Sequence, residues 1–241
     1  MTSRGAYGLK GMDTHRVGTR EEWLTARVAL LEREKELTRR SDELARLRRE
    51  LPWVPVEKEY RFDTEDGTKT LAELFDGRPE LIVYHFMFGP NVPEGCTGCT
   101  FAADHFGGAV FYLAQLGVTF LCASRAGLDD IVAYKERQGW TFPWVSSAGS
   151  DFNRDFGAFT EAEREAGTGF NFSTAKHADV DLRKTELMAL SCFALRDGVV
   201  HHTYSAYDRG TDALNPTWQL LDRTPTGRVL PDWFPVRRVP L

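Results

Sequence analysis

Two periods of hydrophobic spacing divide the chain. Trp23, Leu30, Leu37, Leu44 and Leu51 recur every seven residues in a stretch without Gly or Pro until Pro52. This predicts one long amphipathic helix over residues 19–52, with Leu24, Leu31 and Ala45 beside the stripe. Thr19-Arg-Glu-Glu22 has the spacing of a capping box at its start. The neighbouring row, Arg33, Arg40 and Leu47, is largely charged, which disfavours a free coiled coil. The stripe is instead expected to dock on the body of the protein or on a second subunit. Before it, residues 1–18 are polar and Gly-rich and read as a flexible tail.

After Pro52 the period shortens. Tyr60-Arg-Phe62 and Lys69-Thr70 flank Asp66-Gly67, a hairpin signal. Residues 70–77 form a short helical turn ended by Gly77. Leu81-Ile-Val-Tyr-His-Phe-Met-Phe88 is a continuous apolar run that reads as a buried strand. A helix is expected over Thr100–Leu116, with Phe101, Phe106, Ala109, Val110 and Leu113 at mostly helical spacing. A second buried strand, Val118–Ser124, precedes a helix over Leu128–Gln138 closed by Gly139, and Phe142–Ser146 is a short third strand. Met188–Leu195 and Val199–Tyr204 flank Arg196-Asp-Gly198, a second hairpin. Thr211–Asp222 is expected to be helical, with Pro216 weakening its middle. Residues near 151–185 read as an irregular insertion, and residues 223–241, with four prolines, as an extended tail carrying Trp233 and Phe234.

Strands alternating with helices and then an antiparallel hairpin predict an α/β sandwich with a mixed sheet. The expected organisation is a tail (1–18), the long helix (19–52), a sandwich domain (53–222) and a C-terminal tail (223–241).

Size and charge narrow the function. The chain has 241 residues, a net charge of −5 and 42% hydrophobic residues, among them 16 Phe and 6 Trp. That is enough for a generous core, and no stretch of the body is dominated by Lys and Arg, so nucleic acid is not an expected partner. No run of about 18 apolar residues or leader-like segment is present, so a cytoplasmic protein without a membrane span is expected. Four cysteines are too few for a disulfide-stapled scaffold.

Two of those cysteines carry the most specific chemistry. Glu94-Gly-Cys96-Thr-Gly-Cys99 lies between the first buried strand and a helical stretch, the layout of a dithiol redox site. At the helix start the Cys96 thiolate is favoured, and Cys99, one turn in, is expected to be the more buried resolving thiol. Thr97 and Gly98 fill the middle, where they are expected to meet substrate. His85, in the strand feeding the loop, is the candidate to take up a proton near the sulfurs; a hydrogen-bonded core histidine is the equal alternative. Cys122 and Cys192, in apolar strands, read as buried small hydrophobes.

A metal is the alternative. Copper or zinc would draw on Cys96, Cys99, His85 and His105, but zinc prefers four ligands in two spaced pairs and no second Cys-x-x-Cys exists. On a continuous helix His105 would also point about 120° away from the Cys99 sulfur. Redox chemistry therefore leads, with no cofactor. Trp140, Phe142, Trp144 and Phe152 form an aromatic stretch expected in the core, with Trp144 a candidate to line a substrate groove. Asp104-His105 resembles half of a catalytic dyad, but adjacent helix residues diverge by about 100°. Ser146-Ser147 has no nucleophile-elbow context, and no phosphate-binding glycine loop is present.

Taken together, Leu81–Pro90, Glu94–Cys99, Ala103-Asp-His-Phe106, Gly139–Ser147, Gly149-Ser-Asp-Phe-Asn153 and His202-Thr-Tyr-Ser205 resemble the bacterial domain-of-unknown-function family 899 over residues 19–224. The long helix, with Glu21-Glu-Trp23 and Glu34–Thr38, fits the same family. The resemblance implies a thioredoxin-like fold and predicted dithiol–disulfide oxidoreductase activity on protein or small-molecule disulfides. More distantly, the element order resembles the alkyl-hydroperoxide-reductase and thiol-peroxidase group. Aligned on that group's Pro-x-x-x-Thr-x-x-Cys loop, Cys96 puts Gly89 at the proline and Pro93 at the threonine, so its peroxide-holding arrangement is not expected. Registering the second hairpin on a thioredoxin puts Leu190 where the cis-proline facing the cysteines would stand, and Leu190 becomes a candidate substrate contact. A non-enzymatic role is the third expectation, with the long helix and C-terminal tail forming a homodimer or binding a partner.

Overall fold

Each apolar run forms an element wherever its backbone can be satisfied by a neighbour. The computed structural model describes residues 15–90, 92–157 and 187–228. The described residues divide into two compact units, residues up to 51 with those from 217 to 228, and residues 52–157 with 187–216.

The first unit is dominated by α1 (Arg20–Arg49), whose start is a complete capping box. The Thr19 N–H donates to Glu22 Oε2 at 2.7 Å, and the Glu22 N–H donates to Thr19 Oγ1 at 3.2 Å. Two amide donors that a helix start leaves open are thereby satisfied. Ion pairs such as Lys35–Glu32 (2.9 Å) and Arg46–Glu43 (2.8 Å) lie along its exposed surface.

The second unit is built on an eight-stranded sheet in the order β1-β8-β7-β4-β5-β6-β2-β3. The strands are β1 (Val54–Pro55), β2 (Arg61–Thr64), β3 (Gly67–Thr70), β4 (Glu80–His85), β5 (Val118–Ser124), β6 (Trp144–Ser146), β7 (Ala189–Arg196) and β8 (Val199–Tyr207). Central β4 pairs parallel with β5 and antiparallel with β7, while β5 pairs parallel with β6. The β7–β8 turn carries Asp197 and Gly198 at φ 52° and 78°, the two left-handed positions that a two-residue hairpin favours. A parallel β4–β5–β6 run connected by helices, with an antiparallel hairpin beyond β4, is the thioredoxin-like sandwich with a mixed sheet that the sequence predicts.

Helices α2 (Thr97–Ala103), α3 (Gly107–Gln115) and α4 (Leu128–Gln138) complete the alternation. The helix expected over Thr100–Leu116 differs: it begins three residues earlier and breaks at Asp104–Phe106. At the break the His105 and Phe106 N–H groups bond only three residues back, to the Ala102 and Ala103 carbonyls at 3.1 and 3.0 Å, and α3 restarts at Gly107. The helix expected at Thr211–Asp222 also divides, into a 3-10 segment (Asp208–Leu214) and a second helix (Pro216–Leu221). Pro216 is the first residue of the second helix, where its missing N–H costs nothing. Of the irregular 151–185 stretch, Phe152–Asp155 forms one short helix, α5; residues 158–186 and 229–241, including Trp233 and Phe234, lie outside the described residues.

The sheet separates two cores. On one face, Tyr84, Phe86 and Phe88 pack with Cys99, Phe106, Phe120, Ile131, Tyr134, Trp140, Phe142 and Trp144. On the other, Leu81 and Val83 pack with Phe62, Leu74, Phe75, Leu121, Val145, Phe152 and Phe193.

Candidate active site

The cysteine loop is held by backbone before any side chain acts. Beyond β4 the chain stays tied to β5, because Ser124 Oγ donates to the Phe86 carbonyl at 2.7 Å and the Phe86 N–H to the Ala123 carbonyl at 3.0 Å. The loop then returns, and the Cys96 N–H donates to the Met87 carbonyl at 3.0 Å. Gly95 is squeezed between Phe86 and Tyr134 at this point. Cys96 caps α2 with extended backbone (φ −58°, ψ 128°), and Thr100 secures the first turn. Its hydroxyl donates to the Cys96 carbonyl at 2.9 Å and shares a 2.8 Å hydrogen bond with the buried Tyr134 hydroxyl.

The two sulfurs occupy unlike environments. Cys96 is partly buried and Cys99 fully buried, both as free thiols. The Cys96 thiol is lowered to about 6, chiefly by a hydrogen bond from the Cys99 thiol. Burial opposes that shift, and the N–H groups of Cys99 and Gly98 assist it. A thiolate at Cys96 is thus the resting form at neutral pH. Cys99 is pushed well above the ordinary thiol value, first by burial and then by Cys96. Its sulfur accepts from the Met87 N–H at 3.5 Å. Cys122 is also raised by burial, and Cys192 is raised to about 11 for the same reason. These two sit in the strands as packing residues, as their apolar surroundings imply.

His85 does not join the cysteines. Successive residues of a strand face opposite sides, so Tyr84 and Phe86 face the sulfurs while His85 faces the second core. There it stacks on Phe152 (5.3 Å, 20°) and its Nε2 bonds Ser191 Oγ at 2.9 Å. Ser191 Oγ meets Ser205 Oγ at 2.9 Å, and Ser205 Oγ meets His202 Nε2 at 2.8 Å. Asn153 approaches the His85 side chain, and His85 Nδ1 has no hydrogen-bond partner among the described residues. Burial lowers His85 to about 4, so it is neutral at neutral pH. The expected proton acceptor beside the sulfurs is therefore corrected to a neutral core histidine on the far face.

The other candidates divide similarly. Thr97 and Gly98 are partly exposed beside Cys96. Trp144 is 2% exposed and its Nε1 donates to Ser124 Oγ at 3.0 Å; it is a core residue. Leu190 is buried and pairs with Tyr84 across β4 and β7, which puts it on the cysteine face of the sheet. His105 packs edge-on to Phe101 at 4.8 Å, and Asp104 accepts from Trp140 Nε1 at 2.9 Å, so this pair serves α2 and its packing. Among the described residues no group of three or more His, Cys, Asp or Glu side chains converges as a metal would require. With His85 on the far face, Cys96, Cys99, His85 and His105 do not form one ligand set.

Two contributors escape the sequence reading. Met87 acts through its backbone, which leaves no side-chain signature. Tyr84 was legible only as part of an apolar strand, although a buried hydroxyl there implies a nearby partner.

Residues 12–238 match the family of bacterial proteins of unknown function DUF899. None of the curated proteins matches the chain. Among solved structures, a mutant of Xylella fastidiosa PrxQ is 15% identical, covering 66% of this chain and 87% of its own, with a TM-score of 0.42. The peroxidoxin BcpB from Mycobacterium tuberculosis is 14% identical over 71% of this chain and 96% of its own, with a TM-score of 0.42. A mitochondrial 2-Cys peroxiredoxin from Plasmodium falciparum is 12% identical over 74% and 98%, with a TM-score of 0.41. At these values no residue role is carried over from them.

Proposed function

The chain belongs to the bacterial family of unknown function DUF899, and from the geometry around its cysteine pair we propose that it is a thiol–disulfide oxidoreductase. The observation that carries this reading is the asymmetry of the two sulfurs. A partly exposed thiol lowered to about 6 adjoins a fully buried one that is raised. An attacking thiol works best when ionised near ambient pH, and a resolving thiol when shielded from outside disulfides.

The Cys96 thiolate attacks one sulfur of a substrate disulfide. A Cys96–substrate bond forms, the substrate S–S bond breaks, and the departing sulfur leaves with the electron pair and takes a proton from water. Cys99 then loses its proton and attacks Cys96 Sγ, releasing the second substrate thiolate, which is protonated in turn. Two electrons pass from the pair to the substrate, leaving a Cys96–Cys99 disulfide. A dithiol reductant reverses the sequence and restores the pair. Thr97 and Gly98 border the attacking sulfur and are the contacts proposed to meet substrate.

The test is mixed-disulfide capture. Cys99→Ser should hold a substrate on Cys96 as a bond cleaved by reductant, and Cys96→Ser should hold none. Cys96 alkylating no faster than Cys122 at neutral pH would sink the proposal.

A further inference from the structure

A buried hydroxyl needs a partner, and that of Tyr84 has Met188 Sδ, with Cys99 in the same buried cluster. Its ring is fixed edge-on between Phe106 (5.0 Å) and Phe86 (6.3 Å), and the residue is 1% exposed. The hydroxyl donates to Met188 Sδ at 3.5 Å, and Cys99 belongs to the same buried cluster, close enough for the two side chains to perturb one another. Phenylalanine would fill this aromatic cluster without having to satisfy a hydroxyl there. The packing therefore does not account for the oxygen; the sulfurs do.

The resolving step explains what the oxygen is for. Cys99 is fully buried, and burial disfavours the thiolate through which it must attack. Among the described residues, the polar groups beside its sulfur besides the Cys96 thiol are the Met87 N–H, at 3.5 Å, and the Tyr84 hydroxyl, whose own hydrogen bond goes to Met188. A thioether is a weak acceptor, whereas a thiolate takes a charge-assisted bond about twice as strong as a neutral one. Ionisation of Cys99 therefore draws the hydroxyl from Met188 to Cys99.

We propose that Tyr84 is a positioning residue for disulfide closure, its hydroxyl moving from Met188 Sδ to Cys99 Sγ as that sulfur becomes a thiolate. The inference rests on the oxidoreductase reading above. Tyr84 is no base, since burial holds its hydroxyl well above the usual phenol value; it keeps its own proton throughout. The proton of Cys99 passes through water to the departing substrate thiolate. The Cys99–Cys96 bond forms as the Cys96–substrate bond breaks, so atoms and electrons balance without a further reactant.

The experiment follows mixed-disulfide formation and closure separately, using a small aromatic disulfide as the probe. In Tyr84→Phe, the first attack by Cys96 should proceed with its pH midpoint unmoved. Closure should slow by about tenfold to a hundredfold, the loss of one hydrogen bond to a charged group, and its pH profile should move upward. A merely structural role would not move that profile. Met188→Leu removes the competing acceptor, so closure there should be faster than in the unaltered chain. Closure in Tyr84→Phe at the unaltered rate and pH profile overturns the proposal, and so does slower closure in Met188→Leu. If Cys99→Ser captures no probe at all, the oxidoreductase reading falls and this proposal with it; capture with unaltered closure in Tyr84→Phe removes only the role of Tyr84.

Discussion

The backbone of Gly95 passes so close to the Phe86 ring that a Cβ there would lie 2.7 Å from Cε1, and 3.2 Å from Tyr134 Cζ. Both rings are fully buried and engaged with other aromatics, so neither can swing aside. The residue before Cys96 thus fixes how near the loop approaches the core. Gly95→Ala is expected to cost about 1–3 kcal/mol, the range for overpacking a tight interior. Thermal unfolding measures the cost, and Cys96 alkylation should change with it. A variant as stable as the parent would show that the loop can lift away from Phe86.

Alkylation of Cys96 should be half-maximal near pH 6. The largest cause of that low value is the hydrogen bond from Cys99. Cys99→Ala should therefore move the midpoint upward, toward the value of about 8.5 of a free thiol. Rates of iodoacetamide labelling against pH, read by mass on the Cys96 peptide, decide it. An unmoved midpoint would mean that the helix-start N–H groups alone hold the thiolate.

Acid should weaken the fold through His85. Its folded value of about 4 lies below the ordinary imidazole value of 6.5, so between these values the unfolded chain binds the extra proton. Stability contributed by the neutral imidazole is complete above about pH 6.5 and is lost as pH falls toward 4. At full extent this amounts to roughly 3 kcal/mol. His202, also lowered by burial, acts in the same direction. Urea midpoints from pH 7 to pH 4 should fall steeply in the parent and less in His85→Gln. Equal slopes would exclude His85 as the source.

Trp144 separates core from substrate groove. Trp144→Ala should cost about 3–5 kcal/mol, whereas Trp144→Phe should cost less and leave KM for a small disulfide unchanged. A selective rise in KM in the folded Phe variant would restore Trp144 as a substrate contact.

Much of the body was readable from local pattern. The capping box at Thr19, strand Val118–Ser124 and helix Leu128–Gln138 all occupy their expected residues, because each signal lies within a few residues of the element it controls. The cysteine site was readable in outline for the same reason, since strand, loop and helix start are consecutive in the chain. The break between α2 and α3 at Asp104–Phe106 leaves no mark in the pattern, because the apolar spacing across the gap still resembles one helix.

His85 shows where local pattern ends. In a strand buried on both faces, the apolar run is continuous and carries no sign of which parity faces which layer. The sequence by itself determined the order of elements, the thioredoxin-like class and the position of Cys96 at a helix start. Only the tertiary structure decided that Tyr84 rather than His85 faces the sulfurs, and that Trp144 and Leu190 are walls of the core. Those outcomes depend on which side of β4 the helices pack, and that side is chosen by the summed burial of residues far apart in the chain.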